Sequence, residues 1–149
     1  MTHYDVDIPV INYNTANLLP EMFVAVAAAV DGKNVRFLVV DNCSTDTSAA
    51  VLKERYSDIY LEINSKNVDF WRANHRLLAQ IAAKYIFLLN TDAFVSPDPL
   101  TKTVPYLDEH PDFGVLGFRL IGLYVTLQPS CRYLSTPFNL FLTKTGLAQ

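Results

Sequence analysis

Residues 35–49 read VRFLVVDNCSTDTSA. Val35 to Val40 is a short apolar run, and it reads as a largely buried strand. Asp41 to Asp46 is a polar loop. Thr47 to Tyr56 follows as a helix, with Ser44, Thr45 or Asp46 as its cap. The same order of elements holds upstream. Val6 to Tyr13 (VDIPVINY) is a strand, and Asn14-Thr15-Ala16-Asn17 offers caps for a helix over Leu18 to Val30. Asp31-Gly32-Lys33-Asn34 is turn chemistry. Downstream, Ile59 to Ile63 and Tyr85 to Leu89 are strands. Trp71 to Lys84 repeats Leu77, Leu78, Ile81 and Ala82 at helical spacing. Pro97 to Glu109 predicts a helix and Phe113 to Leu120 a fifth strand. Strands alternating with helices predict an α/β chain of three layers, α/β/α, around a mostly parallel central sheet. Ile121 to Leu142 keeps no clear period. The expected division is therefore an α/β domain over residues 1–120 and the start of a second region over 121–149.

Composition narrows the function. The chain has 149 residues, half of them hydrophobic and 18% charged, with a net charge of −3. Its mean hydropathy of +0.15 is too apolar for a disordered chain. The negative balance argues against a nucleic-acid partner, which calls for a basic face. No apolar run approaches the roughly 18 residues of a membrane helix, and the acidic start MTHYDVD is not a secretory signal. A cytoplasmic location, at most peripheral to the inner face of the membrane, is the expectation. Cys43 and Cys131 form no metal or redox spacing and read as reduced, at least partly buried thiols. Only Gly32 of the five glycines precedes residue 114, so neither a P-loop nor a dinucleotide loop is present. His3, His75 and His110 do not cluster, so zinc has no local support.

In an open α/β sheet the ligand site lies at the carboxyl ends of the strands. Three polar clusters fall there: Tyr13-Asn14-Thr15, Asp41 to Asp46, and Asn90-Thr91-Asp92. Asp41 can accept hydrogen bonds from a ring or ribose, or it can build an Asx turn into the following helix. Asp92 ends an apolar strand, where a charge is costly without a partner. Mg²⁺ or Mn²⁺ is one such partner and would in turn hold phosphates; a simple turn residue before Ser96-Pro97 is the other reading. A fourth cluster, Asn67, Asp69, Trp71, Arg72 and Asn74, follows the third strand. Arg72 could neutralise a diphosphate, and Asn74 could bond a base or sugar. His75 and Arg76 read as a solvated helix face.

At these clusters the chain resembles the family 2 glycosyltransferases, within a subgroup rich in rhamnosyltransferase-like enzymes. The matching stretches are INYNTANLL (11–19), FLVVDNCSTDTSA (37–49), NVDFWRAN (67–74), YIFLLNTDAFVSPDPL (85–100), HPDFGVLGFRL (110–120) and LQPSCR (127–132). The resemblance implies a GT-A, Rossmann-like fold that binds a nucleotide-diphosphate sugar. It places Tyr13 and Asn14 beside the nucleotide, Asp41 and Asn42 at the base, and Arg72 and Asn74 in the nucleotide-side loop. Asp92 takes the metal position, for Mg²⁺ or Mn²⁺. The implied reaction is inverting transfer to a hydroxyl of a glycan or lipid-linked acceptor.

Three departures qualify that resemblance. Asp69 and Leu77 stand where the family usually has glycine, and Gly122-Leu123-Tyr124 replaces an Asp-Gly turn. The family's catalytic acidic motif has no counterpart before Gln149. The expectation is therefore a donor-binding portion without its base, weakly active or inactive alone, and a homodimer through the apolar C-terminal region. A non-catalytic, degenerate GT-A-like binding module is the alternative. A nucleotidyltransferase would need a Gly-rich basic loop in place of Asn12 to Thr15. A receiver domain would need its acidic residues at the other end of the first strand from Asp5 and Asp7.

Overall fold

The computed structural model describes residues 4–30, 32–122 and 126–128. Cys131, Leu123, Tyr124, the LQPSCR stretch beyond Gln128 and most of the apolar run to Leu142 lie outside the described residues. The chain divides into two compact units, residues 1–110 and 111–149.

The first unit is built on a parallel pair, β1 (Val6–Asn12) and β2 (Val35–Asp41). They run in register from Val6 opposite Val35 to Asn12 opposite Asp41. Helix α1 (Leu19–Ala29) connects them, and α2 (Ser48–Arg55) leads to β3 (Tyr60–Ile63), which pairs parallel with β2. Helix α3 (Phe70–Leu78) carries the chain to the other side of β1, where β4 (Tyr85–Ile86) joins. The sheet order is thus β3-β2-β1-β4. Helix α4 (Pro99–Glu109) packs against α1. In the second unit β5 (Leu120–Ile121) and β6 (Leu127–Gln128) form a short antiparallel pair.

Side-chain alternation along β2 shows why both sheet faces are covered. Phe37 meets Phe23 of α1 at 4.7 Å between ring centroids, and Phe23 also stacks on Tyr56 at 3.9 Å. The opposite face presents Leu38 and Val40, which cluster with Ala73 and Leu77 of α3. These are the α/β/α layers that the alternation of elements predicts. Leu77 is fully buried, so its large side chain fills the core.

Three elements differ from expectation, each for a local reason. Helix α3 stops at Leu78 instead of Lys84. The carboxylate of Asp7 accepts hydrogen bonds from the backbone N–H groups of Ala82 (2.8 Å) and Ala83 (3.0 Å), drawing that segment out of the helix. Strand β4 has two residues instead of five. The Asp7 backbone carbonyl accepts from the Phe87 N–H at 2.9 Å, and the next position of β1 facing β4 is Pro9, which has no N–H to continue the ladder. Residues 113–119 form no strand: Gly114 and Gly117 interrupt the run, and Val115 is exposed. Among the described residues no helix is long and apolar enough to cross a membrane.

Asp7 is the one fully buried carboxylate in the amino-terminal half of the sheet. It accepts from Arg36 Nε at 2.9 Å and Nη2 at 2.8 Å, a bidentate pair across β1 and β2. Burial alone would raise its pKa. The Arg36 hydrogen bonds and the two backbone N–H groups outweigh burial and hold it below the usual carboxylate value. A depressed folded-state pKa gives stability that is present above the unfolded value, about 3.9. That contribution is lost as pH falls through the folded value. Asp7→Ala leaves two N–H groups unpaired and Arg36 with only the Gln80 carbonyl as partner, and should cost about 3–5 kcal/mol in urea denaturation. The same variant should lose less stability on acidification than the wild type. A cost under about 1 kcal/mol would contradict this role.

Candidate functional site

The carboxyl ends of β1 and β2 meet at Asn12 and Asp41, two fully buried polar residues opposite each other in the ladder. Asn12 Nδ2 donates to Asp41 Oδ1 at 2.6 Å and to Ser44 Oγ at 3.1 Å. Ser44 donates its hydroxyl to Asp41 Oδ1 at 2.6 Å and its N–H to Asp41 Oδ2 at 3.0 Å. The Ser44 oxygen also accepts from the Asn14 N–H at 2.9 Å. One hydroxyl thus makes one donor and two acceptor contacts, its full capacity. Asp41 therefore builds an Asx-type turn into the loop before α2, and its carboxylate is committed to protein partners.

Two further ties hold the first loop against the second. Asn14 sits in the left-handed region at φ 54°, as does Cys43 at φ 66°. Asn14 Oδ1 accepts from the Thr45 N–H at 2.8 Å. Asp46 accepts from the Ala16 N–H at 3.0 Å and the Ser48 N–H at 2.9 Å. For Asp46 the cost of burial is outweighed by hydrogen bonds from Ser48 and the Ala16 amide, so its pKa is lowered. Cys43, within this loop, is a free, half-buried thiol.

Asn42 ties the third loop to the same edge. Its Nδ2 donates to Asn67 Oδ1 at 2.9 Å and to the Val68 carbonyl at 2.6 Å. Its Oδ1 accepts from Asn64 Nδ2 at 3.0 Å and from the Val68 N–H at 2.9 Å. Arg76 braces the same segment, donating to Glu62 and to Asn64 Oδ1, both at 2.6 Å. Arg76, exposed on the helix as expected, thus also ties α3 to β3.

These ties frame a cavity of about 320 Å³ lined by Ile11, Tyr13, Thr15, Asn42, Asn67, Val68, Asp69, Phe70 and Thr91. That volume is at the low end of the roughly 300–1,000 Å³ of ligand sites. The cavity draws on residues at or beyond the carboxyl ends of β1, β2, β3 and β4, beside the point where strand order reverses between β1 and β4. Tyr13 and Phe70 are exposed aromatics on its wall, and Asp69 is its one charged lining residue.

Of the residues expected to bind, Tyr13 and Asn42 line the cavity. Asn14 and Asp41 support it from the adjoining loops. Arg72 and Asn74 lie on α3 outside the lining. Asp69 caps α3, accepting from the Arg72 N–H at 2.8 Å, and pairs with Arg72 Nε at 3.2 Å. Asn74 Nδ2 donates back to the Phe70 carbonyl at 2.9 Å. Sequence reasoning missed Asn12 and Asn64. The available signal was an amide side chain directly at the end of each apolar strand.

Asp92 is exposed in a turn closed by the Ala93 N–H and the Asn90 carbonyl at 3.1 Å. Among the described residues no hydrogen bond or ion pair holds its carboxylate, and no three His, Cys, Asp or Glu converge on one point. A single free carboxylate fits a Mg²⁺ or Mn²⁺ that takes its other ligands from water and phosphate oxygens. It does not fit a metal caged by the protein alone.

The sequence model of glycosyl transferase family 2 matches residues 7–143. No curated protein matches the chain. Among solved structures it is similar to S. aureus TarS 1–349, with a TM-score of 0.63 and 20% identity over 72% of this chain and 33% of that one. The complex of TarS 1–349 with UDP-GlcNAc gives 0.61 and 19%, covering 72% and 32%. A mannosyltransferase from Pyrobaculum calidifontis in complex with GDP-Man and Mn²⁺ gives 0.51 and 20%, covering 63% and 29%. These likenesses establish the GT-A fold. The chain spans about a third of the length of the TarS chain it matches.

Asn42→Ala should leave Asn64 Nδ2 and the Val68 N–H without their acceptor, at a cost of about 1–3 kcal/mol in denaturant unfolding. Hydrogen exchange at Val68 should accelerate more than at the core strand β1. Unchanged exchange at Val68 would show that Asn42 does not hold the loop.

Proposed function

This chain belongs to glycosyl transferase family 2, and on that premise we propose that it binds a nucleotide-diphosphate sugar for transfer to an acceptor hydroxyl. The observation that carries this reading is the cavity at the carboxyl edge, with two exposed aromatics and amide and hydroxyl groups, next in sequence to the exposed Asp92 in the turn after β4. Its size suits a base and ribose, leaving the diphosphate to lie toward α3 and Asp92.

In this reading Tyr13 and Phe70 contact the planar base. Asn67, Thr15 and Thr91 offer polar atoms to the nucleoside. Asp41, Asn42 and Asn14 act as positioning residues, because their polar atoms hold the loops that carry those groups. Arg72 and Asn74, within the first turn and a half of α3, are the residues of this reading on the diphosphate side. Asp92 would be the protein ligand of a Mg²⁺ or Mn²⁺. That metal, when bound, offsets charge on the departing nucleoside diphosphate. Residues 1–120 are proposed as the donor-binding part, and 121–149 as the start of the acceptor side. No general base is assigned among the described residues, and inversion at the anomeric carbon follows from the family resemblance alone.

The test is a thermal-shift titration with UDP, dTDP and GDP, each with and without Mn²⁺. A ligand that binds only the folded state must raise the melting temperature. One nucleotide should shift the wild type in a metal-dependent way. Asp92→Ala should weaken that response by about tenfold in apparent affinity, the loss of roughly one charge-assisted contact. No shift with any of the three would favour the degenerate binding module, which the carboxylate of Asp69 on the cavity wall already makes a physical alternative.

A further inference from the structure

The cavity wall carries one charge, and it is negative. Asp69 lines the cavity as the cap of α3, with its side chain 59% exposed. The amino terminus of a helix is otherwise a natural place for an anion, because unpaired N–H groups and the helix dipole converge there. Here Asp69 fills that place itself. Its Oδ1 takes the Arg72 N–H, and its Oδ2 takes the Arg72 guanidinium. Two cations flank the lining in sequence, Lys66 just before Asn67 and Arg72 two residues after Phe70, and the Arg72 side chain is 75% exposed. No Lys or Arg is among the lining residues.

We infer that Asp69 is a charge-selecting residue of this cavity, resting on the nucleotide-binding reading above. Its carboxylate holds Arg72 in an ion pair and opposes a bare diphosphate, so that the cavity favours a diphosphate whose charge is already offset by a divalent cation. Two consequences follow from electrostatics. The discrimination acts on charge, so an uncharged nucleoside does not feel it. It also weakens in salt, because the groups involved are exposed.

Asp69→Asn separates this role from a structural one, since asparagine caps helices as well as aspartate does. Calorimetric titration of wild type and Asp69→Asn would use UDP, dTDP and GDP, each without metal and with Mn²⁺, and the parent nucleosides. Asp69→Asn should bind the metal-free diphosphate about fivefold tighter at low ionic strength, the size of one like-charge contact near a surface. The gain should shrink in high salt and be smaller for the Mn²⁺ complex. Nucleoside affinity should stay unchanged. Equal metal-free affinity in the two variants, while the wild type binds the Mn²⁺ complex, overturns the charge-selecting role and leaves the nucleotide site standing. A parallel change in nucleoside affinity shows a structural effect and also overturns it. No binding by either variant in any arm overturns both readings. A Ser variant, which also caps, provides the same comparison should the Asn variant fold poorly.

Discussion

The parallel pairing of β1 with β2 is the constraint on which the rest depends. Its ladder is closed at both ends by buried polar contacts between the same two strands. Near one end Asp7 takes Arg36 in a bidentate pair, and at the other Asn12 takes Asp41. A one-residue slip in register would turn each side chain of one strand to the other face. Both polar pairs would then be broken and Phe37 would exchange places with Leu38 and Val40. The apolar run makes the strands, and the polar ends fix which residues face each other.

The two ends do different work. Asp7 organises the chain that returns to the sheet, stopping α3 and seating the segment before β4. The carboxyl end spreads outward, through Ser44 and Asn14 to the first two loops and through Asn42 to the third. The Asn12–Asp41 and Asn64–Asn42 contacts at the root of these loops are buried, and the others are part-buried or exposed. A cavity framed this way has its walls set before any ligand arrives, and ordering loops on binding would otherwise reduce affinity. The glycine-poor sequence achieves this with amide and hydroxyl side chains in place of a backbone cradle.

Much of this was legible in the sequence. The run Val35 to Val40, the polar turn after it and the alternation of elements lead to the parallel sheet. The clusters at Tyr13, Asp41 and Asn90 do fall on its carboxyl edge. Less legible were effects carried by contacts distant in sequence. The end of α3 depends on a carboxylate 75 positions away, and the length of β4 depends on the missing N–H of Pro9. Asp41 could be read as either a ligand contact or a turn former. In the structure its carboxylate is buried and takes three contacts, all from Asn12 and Ser44, that form the turn. Leu77 and Asp69 look like losses against the family pattern. In the structure one is core and the other is a helix cap.

The central claim is that these cross-loop ties hold a nucleoside diphosphate cavity at the carboxyl edge of β1 and β2. Amide chemical-shift mapping of the whole chain during titration with UDP, dTDP and GDP in Mg²⁺ tests it most directly. The account predicts changes concentrated at Ile11 to Thr15, Asn42, Asn67 to Arg72 and Thr91 to Asp92, with the Asp7–Arg36 end of the ladder unmoved. Shifts centred on that opposite end, or none at all with any nucleotide, would contradict it.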